Sequence, residues 1–83
     1  MKNCLITFRS VTPAQRGEGI LRRSGYQCSL RRTPRWMEEQ GCGYSLQVRY
    51  EDVVTAVDVL RSHGILFRKI YLWQDGQTQE LNL

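Results

Sequence analysis

Cys4-Leu5-Ile6-Thr7-Phe8-Arg9-Ser10-Val11-Thr12-Pro13 decides how the rest of the chain is read. Its first half, Cys4 to Arg9, is apolar and β-prone, a strand bound for the core. Its second half stops that strand. Thr12 is a capping residue, Pro13 suits the first position of a helix, and Gln15 completes a capping-box pattern. Apolar and small residues then recur at helical spacing: Ala14, Gly17, Ile20 and Leu21 face inward, with Gln15, Arg16, Arg22 and Arg23 outside. Gly25 ends the helix.

The pattern then repeats. From Tyr26 to Arg32, Tyr26, Cys28 and Leu30 alternate with polar neighbours, which makes a second strand and puts Cys28 in the core. Thr33-Pro34-Arg35 breaks it, because proline cannot donate to a ladder. A loop, Trp36 to Gly43, leads into a third alternating run through Tyr44, Leu46, Val48 and Tyr50. Glu51 and Asp52 place negative charge at the start of a second helix. That helix buries Val53, Ala56, Val57 and Leu60 and closes at Gly64 after His63. Ile65 to Trp73 supplies a fourth strand. Asp75-Gly76 is a hairpin signal, so the residues after it form a C-terminal tail or a short edge strand.

This order predicts an α+β fold, a ferredoxin-like βαββαβ sandwich with an antiparallel four-stranded sheet and two helices on one face. A single domain over residues 1–75 is expected, with residues 76–83 as the tail or edge strand. Right-handed crossovers and the sheet order 4-1-3-2 bring the loop ending at Gly43, the start of the first helix and the end of the second to one end of the molecule. Cys42, Ser10, Thr12 and His63 are expected to meet there.

Eighty-three residues allow one modest core. The N-terminal apolar run is too short for a signal peptide, and no segment approaches a membrane span. Three cysteines cannot all pair within one chain, and their spacing matches no zinc motif, so reduced thiols in a cytoplasm are expected and no metal or cofactor is. The net charge of +4 comes mostly from arginine, whose planar fork suits carboxylate and phosphate. Those arginines are spread along the whole chain, the pattern of a solvated basic surface.

Cys42 stands apart from Cys4 and Cys28. It lies between Gly41 and Gly43, where the backbone can bend and little side chain covers the thiol. Successive N–H groups in such a bend can also hold an anion and favour thiolate. The competing reading is an ordinary hairpin loop with cysteine as filler. Arg9, Arg32 and Arg35 add positive charge near it, and Glu38 and Glu39 oppose them. His63 fits best as a cation at a helix C-terminus; no third group is evident to orient it as a base for Cys42. Trp36 and Met37 are either partner contacts or a cover for one sheet edge.

Taken together, Leu5-Ile6-Thr7-Phe8-x-Ser10, Thr33-Pro34-Arg35 and Cys42-Gly43-Tyr44-Ser45-Leu46 resemble the small bacterial family named putative selenium/sulfur carrier protein-like, over nearly the whole chain. The resemblance implies a cytoplasmic bacterial protein in which Cys42 holds sulfur or selenium as a persulfide or selenosulfide. Cys42 matches the family's loop cysteine, and Thr33, Pro34, Arg35 and Gly43 match its surrounding motif. It further implies donor and acceptor proteins as partners, and a carrier rather than a stand-alone enzyme. Two other classes stay open. One is a basic binding module for RNA or another polyanion, with Tyr44, Tyr50, Tyr71 and Trp73 as stacking faces. It lacks the aromatic signature of an RNA-recognition strand, so nucleic acid is not the expected partner. The other is a structural or homo-oligomerising domain without chemistry.

Overall fold

The structure is a computed structural model and describes residues 2–33, 43–74 and 77–82. Strand β1 (Asn3–Phe8) leads to helix α1 (Val11–Arg23), then β2 (Cys28–Arg32) and β3 (Tyr44–Arg49). A turn of 3-10 helix, Tyr50–Asp52, opens into α2 (Val53–Ser62), followed by β4 (Ile70–Gln74) and β5 (Gln77–Leu81). The sheet order is β2-β3-β1-β4-β5, and every neighbouring pair is antiparallel. The fold is therefore α+β, with two helices and a five-stranded antiparallel sheet. The first four strands stand in the expected order. The expected strand count of four is corrected to five, because Gln77–Leu81 pairs along the whole of β4, Ile70 against Leu81 and Gln74 against Gln77.

Strand alternation divides the sheet into two faces. Cys4, Ile6 and Phe8 of β1 point the same way as Leu46 and Val48 of β3, Cys28 of β2 and Ile70 of β4. They meet Ala14 and Leu21 of α1 and Val53, Ala56, Val57 and Leu60 of α2 in one buried cluster. Full burial of each leucine or phenylalanine there contributes about 1.5–3 kcal/mol. Gly17 lets α1 approach closely: a Cβ on it would lie 3.1 Å from Leu60 and 3.2 Å from Leu46. On the opposite face Leu5, Thr7 and Ser45 are buried as well.

Three expected boundaries move by two residues or more. The first helix begins at Val11 with Ser10 as its N-cap, so Thr12 is an exposed first-turn residue and makes no cap. Proline is tolerated anywhere in the first turn, where the missing N–H has no intrahelical partner, so Pro13 does not mark the start. The second strand begins at Cys28 rather than Tyr26. The Tyr26 N–H donates to the Leu21 carbonyl at 2.9 Å and the Gly25 N–H to Arg22 at 3.1 Å, so Tyr26 is engaged in closing α1. The fourth strand begins at Ile70 rather than Ile65 for the same reason. The Ile65 N–H donates to Leu60 at 3.0 Å and the Gly64 N–H to Arg61 at 3.1 Å. Gly25 and Gly64, at φ +92° and +70°, supply the left-handed residue each closure requires.

Candidate functional site

Phe8, Tyr44 and Arg32 lie side by side where β1 ends, β3 begins and β2 ends. One residue further, the Thr33 N–H donates to the Gly43 carbonyl at 3.1 Å and closes the mouth of the connection between β2 and β3. Thr33 and Gly43 are both buried. Of the site residues expected from the sequence, Thr33 and Gly43 are thus brought together. Pro34, Arg35, Gly41 and Cys42 lie outside the described residues, as do Trp36, Met37, Glu38 and Glu39. Cys42 is one peptide bond from Gly43.

The mouth carries an unmet polar demand. Thr33 Oγ1 and Ser45 Oγ are buried, and neither has a hydrogen-bond partner among the described residues. Ser45 is 0 % exposed and stands between Thr7 and Arg31 in the sheet. A hydroxyl taken out of water without a partner costs about 1–3 kcal/mol. Such atoms are uncommon in folded proteins, and they mark a place where a further group would find donors ready. Alternation predicts Ser45 as an outward residue of the third strand, but nothing in the sequence reveals that its hydroxyl is buried without a partner.

Ser10 reaches the same end of the molecule. Its backbone is extended and its side chain makes no capping bond. His63 is the C-cap of α2; it is exposed, and Nδ1 donates to the Val59 carbonyl at 2.9 Å. That bond orients the ring along its own helix.

The other two thiols are enclosed. Cys4 is fully buried, and burial pushes its pKa up to about 11. Cys28 is buried at the edge of the core, where its Sγ–H donates to the Glu18 carbonyl at 3.7 Å. Desolvation raises its pKa, and this outweighs the lowering by the hydrogen bond and charge of Arg22. Both stay protonated at neutral pH.

The four aromatics considered as stacking faces do not share a surface. Tyr44 packs against the core. Tyr71 and Trp73 pair with Leu5 and Asn3 and so lie on the opposite face. Tyr50 belongs to the 3-10 turn, with the Lys2 ammonium 5.4 Å from its ring centre. Among the described residues no group of His, Cys, Asp or Glu is placed to hold a metal ion. No helix among them is long and apolar enough to cross a membrane.

No curated protein matches the chain. A family model described as "Putative Se/S carrier protein-like" matches residues 3–72, from the first residue of β1 to the middle of β4. The match includes β1, α1, β2, the connection bearing Cys42, β3 and α2, and the chain belongs to that Se/S carrier protein-like family.

Proposed function

We propose that the protein is a thiol-based carrier of sulfur or selenium, with Cys42 as the group that holds the cargo on a ferredoxin-like scaffold in the bacterial cytoplasm. One observation carries the reading. Of three thiols, Cys4 and Cys28 are enclosed with their pKa values raised. Thiolate chemistry near neutral pH therefore falls to Cys42, which the sequence sets between Gly41 and Gly43. Family membership supports the choice of cargo.

In the loading step the Cys42 thiolate attacks the outer sulfur of a donor persulfide. The new bond joins Cys42 Sγ to that sulfur, the donor's own S–S bond breaks, and the donor cysteine leaves as thiolate with the electron pair. The outer sulfur keeps its proton, and no external oxidant or reductant is needed. Delivery repeats the exchange, with an acceptor nucleophile attacking the outer atom and Cys42 leaving as thiolate. Arg35 and the positive end of α1 are assigned to stabilising the anion, and the hydroxyls of Thr33 and Ser45 to hydrogen bonding at the mouth of the loop. Lowering a thiol pKa from about 8.5 to about 7 raises its thiolate share at neutral pH from a few per cent to about half.

The test incubates the protein with a cysteine desulfurase and cysteine, then maps added sulfur by mass spectrometry. The Cys42 peptide should gain one sulfur, and Cys42→Ser should gain none. Equal loading of Cys42→Ser, or loading on Cys4 or Cys28, overturns the proposal.

A further inference from the structure

Four cationic residues that are far apart in the sequence line a single cleft. Arg9 follows β1, Arg16 lies on α1, and Arg68 and Lys69 precede β4. Ser10, Pro13, Gly64, Ile65, Leu66 and Phe67 complete the walls of a cleft of about 680 Å³. No acidic residue is among the described residues that line it. Lys69 has an outside counter-charge, since its ammonium stands 3.7 Å from Glu80. For Arg9, Arg16 and Arg68 no acidic partner lies within ion-pair distance among the described residues. Three arginines that line one depression without a counter-charge among the described residues repel one another, and a bound anion removes that cost.

The geometry points to a binding site for a phosphorylated small molecule. Charge favours a phosphate ester over a carboxylate. Three arginine forks exceed what one carboxylate can satisfy, whereas a phosphate ester carries close to two negative charges and three acceptor oxygens. The positive end of α1 opens beside Ser10 and adds the same sign. Volume and lining argue for an organic portion. The cleft falls in the range of about 300–1,000 Å³ usual for small-molecule sites, far more than a bare phosphate fills. The lining also includes the apolar Pro13, Ile65 and Leu66, and Leu66 is 84 % exposed, the most exposed large hydrophobic residue among those described. An apolar side chain held open beside three arginines suits a ligand with an uncharged body and a phosphate head. The site contains no cysteine and does not depend on the carrier reading.

The probe is phenyl phosphate, followed through backbone amide shifts at constant ionic strength, with inorganic phosphate and hexaglutamate as comparisons. Saturable shifts are expected at Ser10, Gly64, Leu66 and Arg68, with phenyl phosphate binding several-fold more tightly than inorganic phosphate. Arg9→Gln combined with Arg16→Gln should weaken binding by at least about tenfold, as expected for lost charge-assisted hydrogen bonds. Arg23→Gln, at the far end of α1, should leave it unchanged. Linear shifts spread over all arginine-bearing segments would show general counter-ion attraction and overturn the proposal. So would equal affinity for phenyl phosphate and inorganic phosphate, or tighter binding of hexaglutamate at these residues, which would make the cleft a docking surface for acidic protein. Because the readout is binding, Cys42→Ser should respond like the parent chain, which keeps this result separate from the loading test.

Discussion

Thr7 grips Lys69 from sixty-two residues away. The Thr7 backbone N–H and hydroxyl both donate to the Lys69 carbonyl, at 2.8 and 3.2 Å, and Thr7 Oγ1 accepts the Lys69 N–H at 3.0 Å. The Thr7 carbonyl meanwhile accepts from Arg68 N–H at 2.7 Å rather than from Lys69. Two residues of the incoming chain thus face one residue of β1, the arrangement of a β-bulge. The bulge ends the regular ladder at Ile70 and places Arg68 and Lys69 on the cleft wall.

Thr7→Val keeps the shape of the side chain and leaves the Lys69 N–H without its hydroxyl acceptor. A loss of about 1–3 kcal/mol in urea unfolding is expected. Faster hydrogen exchange at the Lys69 amide should accompany it. An unchanged unfolding midpoint would show that the hydroxyl is dispensable.

Thr33→Val is expected to behave in the opposite way. Its hydroxyl is buried without a partner among the described residues, so removing it should be neutral or stabilising by up to about 1 kcal/mol. If the hydroxyl serves Cys42, the same variant should load sulfur more slowly while resisting urea at least as well as the parent. Marked destabilisation would count against this reading of Thr33.

Gly17 and Gly19 lie two residues apart on α1, on opposite sides of the helix, and should respond differently to alanine. A Cβ at Gly19 meets nothing within 4 Å, so Gly19→Ala gains helix propensity, about 0.5–1 kcal/mol. A Cβ at Gly17 would press on Leu60 and Leu46, both fully buried, and crowding there costs about 1–3 kcal/mol. Thermal unfolding of the two variants should give melting temperatures on either side of the parent's.

The Cys4 thiol makes stability fall in alkali. Its pKa is raised by burial from 9.0 to about 11, so the folded chain keeps a proton that the unfolded chain gives up. Its contribution is complete below pH 9 and is lost as pH rises from there towards 11, by an amount on the order of 2 kcal/mol. Urea midpoints measured across that range should decline, and Cys4→Ala should flatten the decline while lowering overall stability through the cavity it leaves. An equally steep decline in the variant would assign the effect to other groups.

Local sequence determined much of this protein. Strand and helix periods, the stops at Gly25 and Gly64, and the Asp75-Gly76 signal are written within short windows, because backbone sterics and alternation act between near neighbours. The antiparallel order of the first four strands follows from the same reading, since crossover handedness leaves few alternatives. Cys42 is also conspicuous locally, through its two glycines. Tertiary structure decided the rest. Tyr26 and Ile65 have strand-like side chains, but their N–H groups close the preceding helices, so the strands begin later. The burial of the Thr33 and Ser45 hydroxyls without partners among the described residues depends on what surrounds them across the sheet. Arg9, Arg16 and Arg68 read as a dispersed basic surface along the chain. They become one cleft only because Thr7 holds the strand entering from α2 in a bulge beside the start of α1, and electrostatic repulsion depends on distance in space rather than along the sequence.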